Sequence, residues 1–160
     1  MRDDARMEGS ELGVDFPSEP GSSHEQKLAE RHILDALGKR LGLTLNPLRL
    51  TTVEGVSVQL DGADEDRTVL VECWAHQGPA KVAQKSKLVV DAVKLHWIAG
   101  TLAHAPRKLL CVSDEAAVGH LRGRSWQAAA ISDLGVEIVV VALPDEVRNS
   151  VLAAQRRQYR

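Results

Sequence analysis

Apolar and polar residues alternate with a period of two from Val56 to Trp74, the signature of two strands with one covered face each. A turn centred on Asp66 and Arg67 folds the stretch into a hairpin and sets Asp61 opposite Glu72. In that register Val56, Val58, Leu60, Val69, Val71 and Cys73 form the core side, and Ser57, Gln59, Asp61, Leu70, Glu72 and Trp74 form the other. Upstream, Leu34, Leu37 and Leu41 recur at spacings of three and four, which predicts a helix. Ser23, with Gln26 three residues later, opens that helix as a capping box, and Gly42 stops it.

The pattern predicts further strands at Leu48 to Val53, Val56 to Asp61 and Arg67 to Trp74, with a break at Gly55. Gly78 and Pro79 open a long helix ending near Ala103. Lys108 to Ser113 is a buried strand, Asp114 to Leu134 a helix interrupted around Gly123, Glu137 to Ala142 a strand, and Pro144 to Arg156 a last helix. The order αβββαβαβα predicts an α/β fold, a mixed central sheet flanked by helices. No repeats are visible.

Charge changes the picture more than its total of -2 suggests. Residues 1 to 26 hold seven acids and two bases, a net of -5, so the other 134 residues carry 18 bases and 15 acids, a net of +3. Residues 1 to 22 mix acids, Gly, Ser and Pro without periodicity, and are expected to be a disordered acidic tail before a domain at 23 to 160. With one Tyr and one Phe, the core must be aliphatic. Cys73 and Cys111 lie inside apolar strand patterns and are expected to be reduced and buried. Met1 is followed by acids and Gly, and no run of 18 apolar residues occurs, so a protein of the cytoplasm with no membrane partner is expected.

The chemistry lies with three acids. Asp61 and Glu72, as cross-strand neighbours about 5 Å apart at Cβ, repel unless one is protonated or a cation lies between them. A divalent metal is the second solution. One turn before Leu34 stands Glu30, which either faces the sheet or reaches solvent at the helix end.

A helix with an inward Glu, three antiparallel strands carrying Asp-Gly and then an acid, a helix with Gln and another strand resemble the PD-(D/E)xK nuclease superfamily, the restriction-endonuclease-like fold. The resemblance spans Ser23 to Ser113 and is carried by Glu30, by Val58-Gln59-Leu60-Asp61-Gly62, by Val69-Leu70-Val71-Glu72 and by Gln84. It implies a restriction-endonuclease-like αβββαβ core, here extended by a further αβα. It also implies a nucleic-acid phosphodiesterase, DNA favoured over RNA, in which Asp61 and Glu72 hold Mg²⁺ or Mn²⁺. Glu30 would complete or orient that site and Gln84 would position substrate or metal. Water held by such an ion deprotonates more easily and can attack phosphorus.

The resemblance breaks at one place. The superfamily sets a Lys two residues after the second acid, and here that residue is Trp74. Lys81 and Lys85, in the first turns of the following helix, are the candidate replacements, although Lys81, Lys85, Lys87 and Lys94 also form an ordinary solvated face. His76 is either a base or a bystander, and Trp74 either a core lid or a base-stacking ring. The alternative to an enzyme is a nuclease-fold module without catalysis that binds nucleic acid or a protein partner, with a homodimer or a larger assembly open. Walker, dinucleotide, zinc and nucleophile-elbow signatures are absent from the sequence.

Overall fold

A computed structural model describes residues 24–158; the expected tail at 1 to 22 and the Ser23 cap lie outside the described residues. The elements are α1 (His24–Leu41), β1 (Asn46–Thr51), β2 (Ser57–Ala63), β3 (Val69–Trp74), α2 (Val82–Thr101), β4 (Arg107–Val112), a 3-10 helix (Glu115–Leu121), α3 (Trp126–Asp133), β5 (Val136–Val140) and α4 (Asp145–Gln158). The α/β expectation and the order of strands and helices are therefore observed, with shifted ends. Leu34 and Leu37 are buried on α1 beside Ala29 and Ile33, and the helix stops at Gly42, whose φ of 67° suits glycine. β1 ends before the expected Val53 because Thr52 and Gly55 close a turn, Gly55 N–H donating to the Thr52 carbonyl at 2.9 Å. The expected interrupted helix is two separate ones, since Ser125 Oγ caps a fresh start by accepting from Ala128 N–H at 3.1 Å.

The five strands lie in sequence order, β1-β2-β3-β4-β5. β1, β2 and β3 pair antiparallel, while β3-β4 and β4-β5 pair parallel. Parallel neighbours need a crossover, which α2 supplies for the first pair and the 3-10 helix with α3 for the second. Every residue of β3 is buried, and so are the last four of β4. One core, containing Leu70, Trp74, Leu88, Leu95 and Leu110, lies beneath α2 and α3; the other, containing Val71, Cys73, Ile33, Leu37 and Val151, lies beneath α1 and α4. The sheet thus has helices on both sides, and Leu70 and Trp74 are core residues instead of members of an open face.

The facial assignment differs from expectation at β2 also. Asn46 pairs with Ala63 but Leu48 pairs with Leu60, so three steps on β2 face two on β1. That extra residue is a β-bulge at Asp61-Gly62. It turns Leu60 to the α2 side, where Val58 also packs, away from Val71 and Cys73. Gly62 faces α1, where an added Cβ would lie 2.5 Å from Leu34 Cδ2.

Beyond Trp74 the chain stays buried. Gln77 and Gln155 exchange two hydrogen bonds: Gln77 N–H donates to Gln155 Oε1 at 2.8 Å, and Gln155 Nε2 to the Gln77 carbonyl at 3.0 Å. This fixes α4 to the end of β3. Among the described residues no helix is long and apolar enough to cross a membrane.

Replacing a helical glycine by alanine ordinarily stabilises by about 1 kcal/mol. Gly38→Ala is expected to do the reverse, since its Cβ would sit 2.6 Å from the Leu43 carbonyl oxygen, a backbone atom. A loss of about 1–3 kcal/mol is expected, read as a lower urea midpoint at unchanged m.

Candidate active site

The β2-β3 ladder pairs Ala63 with Leu70 and Gly62 with Val71, so the next pair in this register is Asp61 with Glu72, as the hairpin reading predicts. There the bulge ends regular pairing and the side chains take over. Asp61 N–H donates to Glu72 Oε1 at 3.2 Å, and Cys73 N–H donates to Asp61 Oδ2 at 2.8 Å. Each carboxylate therefore satisfies a backbone donor of the opposite strand, a charge-assisted bond contributing about 1.5–3 kcal/mol. The turn below is held similarly: Asp64 accepts from Val69 N–H and from Thr68 Oγ1, both at 2.7 Å.

Glu72 is 3% exposed, and its second oxygen meets Lys94, with Nζ 2.6 Å from Oε2. Lys94 also donates to the Gln59 carbonyl at 3.1 Å, which ties α2 to β2. Burial, and then the Asp61 charge, push the Glu72 carboxyl up to about 8, against the opposing pull of Lys94. One turn earlier on α2, Asp91 is buried and bonds Lys87 Nζ at 3.1 Å. Its carboxyl is raised by burial, which outweighs the Lys87 and Lys94 charges.

Glu30 is half-buried on α1. Its charge, with those of Asp61 and Glu72, acts on the Cys73 thiol, which burial first of all pushes well up. All three predicted acids thus act electrostatically on the same thiol. Even so, among the described residues no three His, Cys, Asp or Glu side chains stand close enough together to hold a metal ion as a set.

Gln84, Lys81 and Lys85 gather at a different place, the start of α2. Gln84 Oε1 accepts from Lys81 N–H at 2.8 Å, and its Nε2 lies 3.2 Å from His76 Nδ1. His76 is 7% exposed and stacked on Trp74, ring centroids 4.9 Å apart and planes 11° from parallel. Trp74 is therefore a core lid. Burial, aided by the Lys81 charge, lowers the His76 pKa against the opposing pull of Asp114. The Lys85 charge acts on His120. The cation paired with Glu72 is Lys94 in place of the expected Lys81 or Lys85.

Compared with family models, curated proteins and solved structures, the chain matches none.

Of the residues beside Glu72, Asp91 is not singled out by the sequence reading, and Lys94, there part of a solvated helix face, instead pairs with a buried acid. Asp91 had a signal: it stands three residues after Leu88 and four before Leu95, an acid inside a buried stripe, as with Glu30. Lys94 had none, since its partner lies on another element.

Because the Glu72 pKa is raised on folding, the stability it contributes is complete below its ordinary value of 4.5 and is lost as pH rises through about 8. Tm is expected to fall between about pH 5 and pH 9 in the parent, and to fall less steeply in Glu72→Gln. Lys94→Met leaves Glu72 buried without its cation. It is expected to cost about 3 kcal/mol at pH 9 and much less at pH 6, where Glu72 is protonated, as measured by urea denaturation at each pH.

Proposed function

We propose that this domain is a metal-dependent phosphodiesterase acting on nucleic acid, with Asp61 and Glu72 as the metal-holding pair and Lys94 as the cation of the site. The observation that carries the reading is Lys94 Nζ at 2.6 Å from Glu72, beside an Asp61 held at the same strand opening. An acid pair with a lysine is the set that the PD-(D/E)xK resemblance requires, and Lys94 supplies from α2 what Trp74 does not. The order αβββαβ, with three antiparallel strands and a parallel fourth, also agrees with a restriction-endonuclease-like core.

Two carboxylates suit Mg²⁺ or Mn²⁺, which keep several waters and are bound by one or two protein acids together with phosphate oxygens. The ion would supply Lewis-acid stabilisation of charge on phosphate. Asp61 and Glu72 are positioned for this by the backbone donors they hold. Lys94 favours the charged form of Glu72 against its burial, and would offset phosphate charge beside the pair. Glu30 acts from the α1 side through its field, and Gln84 orders the start of α2 with His76. DNA is favoured over RNA by the resemblance alone.

A second reading is favoured by the bonding of the acids themselves: occupied by backbone N–H groups and Lys94, they could serve only to close the bulge of a noncatalytic binding module. Metal titration separates the two. Mg²⁺ or Mn²⁺ at 100 times its Kd is expected to stabilise the parent by about 2.7 kcal/mol and Glu72→Ala not at all. Because the metal displaces the Glu72 proton, its affinity is expected to strengthen as pH rises toward 8. Cleavage of DNA is expected to drop at least about a hundredfold in Asp61→Asn and Lys94→Ala. Absence of any metal effect on the parent favours the binding module.

A further inference from the structure

Among the described residues the sheet has two edges, β1 and β5, and they are guarded differently. β1 carries Pro47, which has no N–H to offer, an irregular register between Asn46 and Leu48, and the exposed Arg49, three devices that discourage a further strand. β5, Val136-Glu137-Ile138-Val139-Val140, has no proline and a single charge. Its main-chain groups alternate in direction. Val141 N–H donates to the Val112 carbonyl at 2.8 Å, so Glu137 and Val139 also bond toward β4, and Val136, Ile138 and Val140 turn their N–H and carbonyl groups outward. Arg40 Nη1 meets the outward Val140 carbonyl at 3.0 Å. Among the described residues the outward N–H and carbonyl of Ile138 have no partner.

We propose that β5 pairs antiparallel with β5 of a second copy of this chain, about a two-fold axis through Ile138, so that the two sheets become one. The strand is self-complementary in that register. Ile138 faces Ile138 and Val136 faces Val140, all outward residues, so each pair can exchange two hydrogen bonds. Glu137 faces Val139, and no like charges meet. Charge complementarity favours the same occupant. Val139 packs on the core beneath α1 and α4, and Glu137, two residues earlier on the strand, points to that face. Arg40, in the last turn of α1, lies on that side too, since its charge acts on Cys111 of the same core. The hydrogen bond of Arg40 is to a neutral carbonyl, and its charge has no acid opposite it. Glu137 of the second copy would arrive beside Arg40 as the Val136 N–H of that copy takes over the Val140 carbonyl, and symmetry repeats the contact at the other end of the seam. The exposed Glu137 carboxylate would then lie between its own Arg107 and Arg40 of the other copy.

The test is amide hydrogen exchange of the full chain at about 1 μM and about 100 μM, beside sedimentation velocity at the same concentrations. A seam of one short strand a side is small, and a dissociation constant of about 10 μM is expected. The Ile138 amide is then expected to exchange about fourfold more slowly at the higher concentration, as the monomer fraction falls. Val139, bonded inward, stays slow at both and reports an intact sheet. Arg40→Glu is expected to raise the dissociation constant at least about tenfold, and Arg40→Glu combined with Glu137→Arg to recover most of the loss. A monomer at 100 μM, a dimer whose Ile138 amide exchanges as fast as at 1 μM, or a dimer indifferent to Arg40→Glu overturns the proposal. So does Ile138 protection that is independent of concentration and lost on removal of residues 1 to 22, which would make that segment the added strand. Asp61 and Glu72 lie across β4 from this edge, so cleavage in Mg²⁺ and its loss in Asp61→Asn judge the phosphodiesterase reading separately.

Discussion

Where the β2-β3 ladder ends beyond the Gly62–Val71 pair, the N–H groups of Asp61 and Cys73 donate to side chains of the opposite strand, the acids Glu72 and Asp61. The exchange is reciprocal, so neither side chain can move without exposing a buried donor on the other strand. Around it the remaining parts take their positions. Lys94 reaches from α2 to the free end of Glu72 and to the Gln59 carbonyl, joining helix and hairpin at one point. The bulge also sends Leu60 to the α2 core while Gly62 faces α1.

This arrangement holds opposed charges in a balance that a ligand can tip. Burial and Asp61 favour a proton on Glu72; Lys94 favours its loss. A divalent cation on this carboxylate would have to displace its proton and part it from Lys94.

Much of this was legible in the chain. Period-two alternation gave the hairpin, and the register that sets Asp61 against Glu72 agrees with the observed pairs Gly62 with Val71 and Ala63 with Leu70. Leu34 and Leu37 are buried on α1 as its apolar stripe requires, while Glu30, one turn earlier, is only half-buried. What alternation could not reveal was the bulge, since one inserted residue leaves the pattern on each side intact and reverses only their relation. Nor could it show that both faces of β3 are covered, which depends on parallel pairing with β4. Lys94 is the sharper case. Proximity along the chain favours Lys81 and Lys85, but a helix climbs about 1.5 Å per residue, and the lysine that meets Glu72 lies two further turns along, where α2 crosses the strand opening.

The paired amides of Gln77 and Gln155 join positions 78 residues apart. Until α4 has emerged from the ribosome, the segment that follows β3 has an unmet backbone donor and acceptor in what becomes the interior. The segment leaving β3 is therefore locked only once the last helix is in place. A chain clipped within that helix before Gln155 would leave these two groups without their partner, far in sequence from the cut.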